Sequence, residues 1–205
     1  MDVTTLPLTP GRWGDLEAVF LAKGCSMARG CWCMYYRESG RVRIPDGVSV
    51  AEDRRRRLRE LASAEPPAGM IAYHGDAPVG WVAVSERSHY PRLARSPVAK
   101  PVDDLPVWSV VCFVVPSAYR GRGVARALLR GAIAHAEAHG AVALEGYPVD
   151  RPGRGQAGML WSGVRTMFER EGFVEVARRR PERPVMRRVL RDGGQRGNSR
   201  DGGST

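Results

Sequence analysis

The spacing of apolar residues changes several times along the chain, and each change marks an element. Residues 107–115, Val-Trp-Ser-Val-Val-Cys-Phe-Val-Val, are nearly all apolar. Such a run predicts a central strand buried on both faces. Pro116, with no N–H for a ladder, ends it. The period then turns helical: Ala125, Leu128, Leu129, Ala132, Ile133 and Ala136 recur at spacings of three and one. They predict a helix over 122–139 with Gly140 as its end signal. A strand over 142–147, a helix over 158–171 ended by Gly172, and strands over 173–177 and 184–189 follow. Upstream, the pattern gives a short strand over 3–8 and a helix over 9–22, capped by Thr9 with Pro10 at its first position. Residues 24–45 read as irregular. Ser49-Val-Ala-Glu52 is a capping box that opens a helix to about Ala64. Leu58, Leu61 and Ala62 form its core side, and Arg54 to Arg57 its solvated side. A hairpin joins 69–74 to 79–85 through Gly75-Asp76. Residues 87–106 form a long Pro-rich connection, of the kind that often lines sites.

Composition narrows the class. The chain has 205 residues, 43% hydrophobic and 26% charged, which suits one buried core and is short for two. Residues 1–190 are read as that domain. Residues 191–205 contain no apolar side chain and read as a disordered, basic, Gly-rich tail. The mean hydropathy of −0.33, with no charge-free window near 20 residues, excludes a membrane span. Without a basic, then apolar, leader the expected location is cytoplasmic, and Cys25, Cys31, Cys33 and Cys112 are expected as reduced thiols. The net charge is +10, carried almost wholly by arginine, with Lys23 and Lys100 the two lysines. From position 178 onward nine arginines face three acids. A tail of that kind could touch nucleic acid, but a solubilising end is the stronger reading.

The chemistry concentrates where the central strand meets its helix. Tyr119-Arg-Gly-Arg-Gly-Val-Ala125 enters a helix whose first N–H groups lack internal partners and whose dipole is positive at that end. Gly121 and Gly123 let a large anion approach the backbone, so the turn reads as a pyrophosphate cradle. A P-loop is excluded, because no Gly-Lys-Ser/Thr follows the glycines. A dinucleotide fingerprint is met in part, with Glu145 about 20 residues on. However, Arg126 stands where a small residue is needed, and residues 116–120 separate the glycines from the strand.

Arg120-Gly-Arg-Gly123-Val-Ala125, with the apolar strand and Pro116 before it and Gly172-Phe173 after a later helix, resembles motif A of the GNAT superfamily of acyl-CoA N-acyltransferases. The element order over about 3–189 resembles that superfamily too. The resemblance implies an α/β fold, a central twisted mixed sheet flanked by helices. It also implies acetyl-CoA as co-substrate with no metal, and a small-molecule or peptide amine as acceptor. No membrane is implied, and a homodimer is left open. The pantetheine arm would lie on the backbone of Cys112, Phe113 and Val114. The phosphates would sit on the amides of Gly121, Arg122, Gly123, Val124, Ala125 and Arg126. A strand amide near Val114 would support the oxyanion. Leu144-Glu145 matches a recurrent place for the base, so Glu145 is the expected catalytic residue; an ion-paired strand-end glutamate is the equally weighted alternative. The family's usual acid, a Tyr before Gly-Phe, corresponds to Phe168, and its usual Asn to Trp161. Water, Tyr147, Ser162 and Tyr35 remain candidates for the acid.

Other constellations carry less. Cys25, Cys31 and Cys33 lack a fourth ligand at metal spacing. Trp32, Tyr35 and Tyr36 face either an acceptor or the core. Asp103-Asp104 would attract an amine or stay solvated. His135 and His139, one turn apart without an acidic partner, read as a solvated helix end. The expected reaction is direct attack of an amine on the thioester. A non-catalytic acyl-CoA sensor or scaffold and a basic nucleic-acid-binding module are the alternatives.

Overall fold

The computed structural model describes residues 1–40, 42–150 and 161–190. The apolar run is its central strand. Along β4 (Trp108–Val114), Val110 and Phe113 enter one core cluster, while Val111 and Val114 enter the other. Both faces are therefore dry, as the unbroken apolar pattern demands. Around it stand β1 (Thr4–Pro7), β2 (Gly69–His74), β3 (Ala77–Glu86), β5 (Ala143–Gly146), β6 (Val174–Arg178) and β7 (Pro184–Val189). The sheet order is β1-β2-β3-β4-β5-β7-β6. Neighbours are antiparallel except β4 and β5, which run parallel.

Helices cover both faces. α1 (Trp13–Leu21), entered through a 3-10 turn at Pro10–Arg12, α2 (Ser26–Cys31) and α3 (Val50–Glu60) lie on one side, with Leu16, Phe20 and Leu58 against Ile71 and Trp81. α5 (Val124–Ala138) lies on the other, with Leu128, Leu129 and Ile133 against Val82, Val110 and Leu144. Gly80 lets it come close: a Cβ there would meet Val124 Cγ1 at 2.8 Å. α4 (Pro91–Ala94) and α6 (Arg165–Glu169) are short.

Several expectations change. The stretch expected to be irregular contains α2, and Trp32 after it stacks on Phe20 at 4.7 Å, so it belongs to the core and not to an acceptor wall. α6 has five residues, because Gly163 at φ +77° and the extended Val164 delay its start; 158–160 lie outside the described residues. Thr9 makes no side-chain cap bond. His135 is buried, its Nε2 3.0 Å from Pro67 O, and is not a solvated helix end. The expected tail, 191–205, lies outside the described residues. Among the described residues no helix is long and apolar enough to cross a membrane.

The arginines of α3 are ion-paired rather than simply solvated. Arg54 grips Glu38 through Nε at 3.0 Å and Nη2 at 2.7 Å, and Arg57 grips the same carboxylate. Glu38 is 5% exposed. Burial alone would raise its pKa, but the two guanidiniums outweigh burial and hold it below the usual value. A depressed carboxyl stabilises the fold above its unfolded pKa, and that contribution is lost as pH falls through the folded value. Glu38→Gln should therefore lower stability at pH 7 by about 3 kcal/mol. The gap to the parent chain should close below about pH 4. Thermal melts of both proteins at pH 7 and pH 3 check this; an equal gap at both would refute it.

Candidate functional site

β4 pairs with β5 over three residues only, Trp108 to Val110 against Leu144 to Gly146. An extra residue at Val111 shifts the β3–β4 register just where that pairing stops. Beyond it the strands part, and β4 presents main-chain groups toward a gap. Phe113 N–H points into the gap and donates to Trp161 O at 2.6 Å. Amides alternate along a strand, so Val114 N–H faces β3, where its register partner is Trp81.

The strand leads through Pro116 and a 3-10 turn, Ser117–Tyr119, into the glycine turn. Gly121 has φ +72° and Gly123 φ +88°, and a Cβ on either would meet nothing within 4 Å. These glycines are required by backbone shape, and the space above them is open. Gly123 is the N-cap of α5, with no side-chain cap bond and no acid in the first turn. The uncapped amides of the 15-residue α5 fit a pyrophosphate. Arg120 does not add to that cradle. Its Nε donates to Val115 O at 3.0 Å and its Nη2 to Gly24 O at 2.6 Å. Ser117 N–H donates to Lys23 O at 3.0 Å. The turn is thus stapled to the loop between α1 and α2. Arg126 and Arg130 hold Glu171 on the flank of α5. A cavity of about 470 Å³ runs along that flank between Gly123, Arg126, Arg130 and Asp2.

On the α1 face, the end of β5 carries Glu145, 1% exposed. Its Oε1 accepts from Arg187 Nε at 3.0 Å and Nη2 at 2.7 Å; its Oε2 accepts from Arg87 Nη1 at 3.0 Å and Tyr147 Oη at 3.1 Å. Both oxygens are engaged by donors, which is an ion-paired arrangement. Tyr147 also meets Ser109 Oγ at 2.8 Å; burial, then the Glu145 charge, push its phenol well above its ordinary pKa. Asp103 takes the other side of Arg187, at 2.7 and 2.9 Å, so it is an exposed loop carboxylate that is already ion-paired.

The family's acid position is filled by packing. Phe168 is fully buried and lies over Gly146, where a Cβ would meet its ring at 2.1 Å. It sits edge-on to Phe113 at 6.3 Å and to Phe173 at 5.0 Å. Ser162 lies between Trp161, bonded to Phe113, and Gly163, which abuts the rings of Phe113 and Phe168. It is 4% exposed, and its Oγ has no partner among the described residues. Tyr36 stands beside Trp161, Arg183 and Cys112, and burial raises its pKa. The Cys33 thiol touches that of Cys112; this contact, then burial, push it well above the ordinary range. Among the described residues no group of His, Cys, Asp and Glu could hold a metal ion. Tyr35 is exposed beneath Arg92. A cavity of about 630 Å³, lined by Tyr90, Trp108 and His139, lies at the far end of β4 from the cradle.

Sequence reasoning missed Arg87, Arg183 and Arg187. Arg187 left a signal, since a charge in the strand Pro184-Val-Met-Arg-Arg-Val189 demands a partner once that strand is buried.

The comparisons agree with this geometry. The family model for the acetyltransferase (GNAT) family matches residues 32–154. A comparison with curated protein sequences returned no match. Among solved structures, arylalkylamine N-acetyltransferase 2 from Aedes aegypti is similar over 93% of this chain and 100% of its own, with 9% identity and a TM-score of 0.57. A structure described as histone acetyltransferase HPA2 and related acetyltransferase, from Corynebacterium glutamicum, is similar over 95% and 100%, with 19% identity and a TM-score of 0.52. The chain spans 33% of the length of a GCN5-related N-acetyltransferase from Kribbella flavida, which covers 85% of it at 18% identity and a TM-score of 0.48. With the family pattern matched over 123 of 205 residues, from 32 to 154, the chain belongs to the acetyltransferase (GNAT) family.

Proposed function

We propose that the chain transfers an acetyl group from acetyl-CoA to a primary amine by direct attack on the thioester. The open, positive-φ glycine turn at the uncapped start of α5, at the end of the parted strand, carries this reading. In it, the amides from Gly121 to Arg126 hold the pyrophosphate, and the pantetheine arm lies along Cys112, Phe113 and Val114 in the gap. Attack turns the carbonyl oxygen into an oxyanion, which needs a fixed donor. The gap-facing Phe113 N–H serves better than the Val114 amide, which faces β3. The thioester oxygen then takes the place of Trp161 O on that donor.

The collapsing intermediate expels the thiolate of coenzyme A. Ser162 Oγ, buried, without a partner among the described residues and next in sequence to Gly163, which abuts Phe113 and Phe168, is the donor we assign to that sulfur in place of the missing Tyr. Glu145 acts by holding Arg87, Arg187 and Tyr147 in position, and the amine's proton passes to solvent water.

Thiol release from acetyl-CoA across a panel of amines tests the reaction. Release is expected with at least one class. Gly123→Ala, which strains a position at φ +88° and puts a methyl into the cradle, should raise the KM for acetyl-CoA about tenfold. No release with any amine, although acetyl-CoA binds, would leave the sensor reading standing. Ser162→Ala should lower kcat about 10- to 100-fold with little change in KM, the scale of a hydrogen bond to a charged atom. If the hydroxyl is idle, its removal leaves kcat alone and raises the melting temperature. Glu145→Gln should cost about 3 kcal/mol of stability by leaving two guanidiniums facing a neutral amide. A variant as stable as the parent in denaturant titration, yet without turnover at any pH, would return the proton-acceptor role to Glu145.

A further inference from the structure

We infer that the acceptor amine carries an anionic group, a carboxylate in the simplest case, and that Arg183 binds it. This rests on the acyl-transfer reading and names the substrate class for the same site.

Part of the positive charge of this chain is neutralised in place. Arg54 and Arg57 close on Glu38, Arg126 and Arg130 on Glu171, and Arg187 on Glu145 and Asp103. On the side of the gap away from α5, three arginines are not neutralised in this way. Arg183 donates one bond, from Nη2 to Tyr147 O at 3.3 Å, on the residue that follows β5. Its Nε is buried, with no acceptor among the described residues. Arg37 lies over the Tyr90 ring, 4.6 Å from its centre, and Arg92 over the Tyr35 ring at 4.1 Å. Among the described residues none of these three has a carboxylate within 4.0 Å.

A buried guanidinium N–H without an acceptor is costly, and a ligand oxygen would relieve it. The planar fork of arginine matches a carboxylate through two parallel bonds. Arg183 and Cys112 both act on the Tyr36 phenol, and Cys112 directly precedes Phe113, where the thioester is attacked. The same field repels a dication. Asp103, the acid that could have drawn one in, is already bound to Arg187.

The experiment is thiol release from acetyl-CoA with matched acceptors: amino acids, their carboxamides and the corresponding decarboxylated amines. The free acids should exceed their carboxamides in kcat/KM by about tenfold or more, the scale of one charge-assisted pair. Arg183→Met should shrink that ratio to near unity, and Arg183→Lys should keep part of it. Melting curves identify any variant that fails to fold. In that event the acid-to-carboxamide ratio of the parent chain decides alone. Equal turnover of acids and carboxamides, preference for the decarboxylated amines, or an unchanged ratio in Arg183→Met overturns the inference while acyl transfer stands. Absence of release with every acceptor removes the acyl-transfer reading, and this inference falls with it.

Discussion

The parting of two parallel strands organises this protein. A parallel ladder satisfies the backbone of both partners, and β4 and β5 keep one for three residues before they separate. From there the central strand has donors and acceptors on one edge that no strand answers. Such groups in a dry interior must find partners. Here one finds Trp161 O, from the segment leading into α6. In the function proposed above, that open edge is what takes an extended, amide-bearing arm, and the glycine turn at its end is what takes the phosphates.

The walls of the slot are fixed by different physics on each side. Toward α5 they are apolar: Phe113, Phe168 and Phe173 pack edge to face, with Gly146 leaving space for a ring. Toward α1 they are ionic. Glu145 ties the end of β5 to Arg87 beyond β3 and to Arg187 on β7, so one carboxylate fixes three parts of the sheet. Removing one partner of a buried ion pair leaves an uncompensated charge behind. That is why such a network holds geometry firmly while adding little net stability.

Much of the frame was legible in the sequence, because the interactions that specify it are local. The apolar run of β4, the capping box at Ser49 and Glu52, and the glycines before α5 each follow from a few neighbouring residues. The site was half legible. The cradle and the absent Tyr could be read directly, since backbone shape and residue type decide them. The fate of Glu145 could not, because its partners stand 58 and 42 residues away and no periodicity links them. α2 escaped for a related reason: six residues with no stripe and Gly30 among them carry little helical signal, and tertiary packing forms the turn.

Arg120 was expected to add charge for the anion and instead bonds the carbonyls of Val115 and Gly24. It works as a staple. Both bonds end on main-chain carbonyls, so side chains in the loop before α2 can vary without releasing the glycine turn, and the shape of that turn answers to one guanidinium rather than to the residues it is tied to.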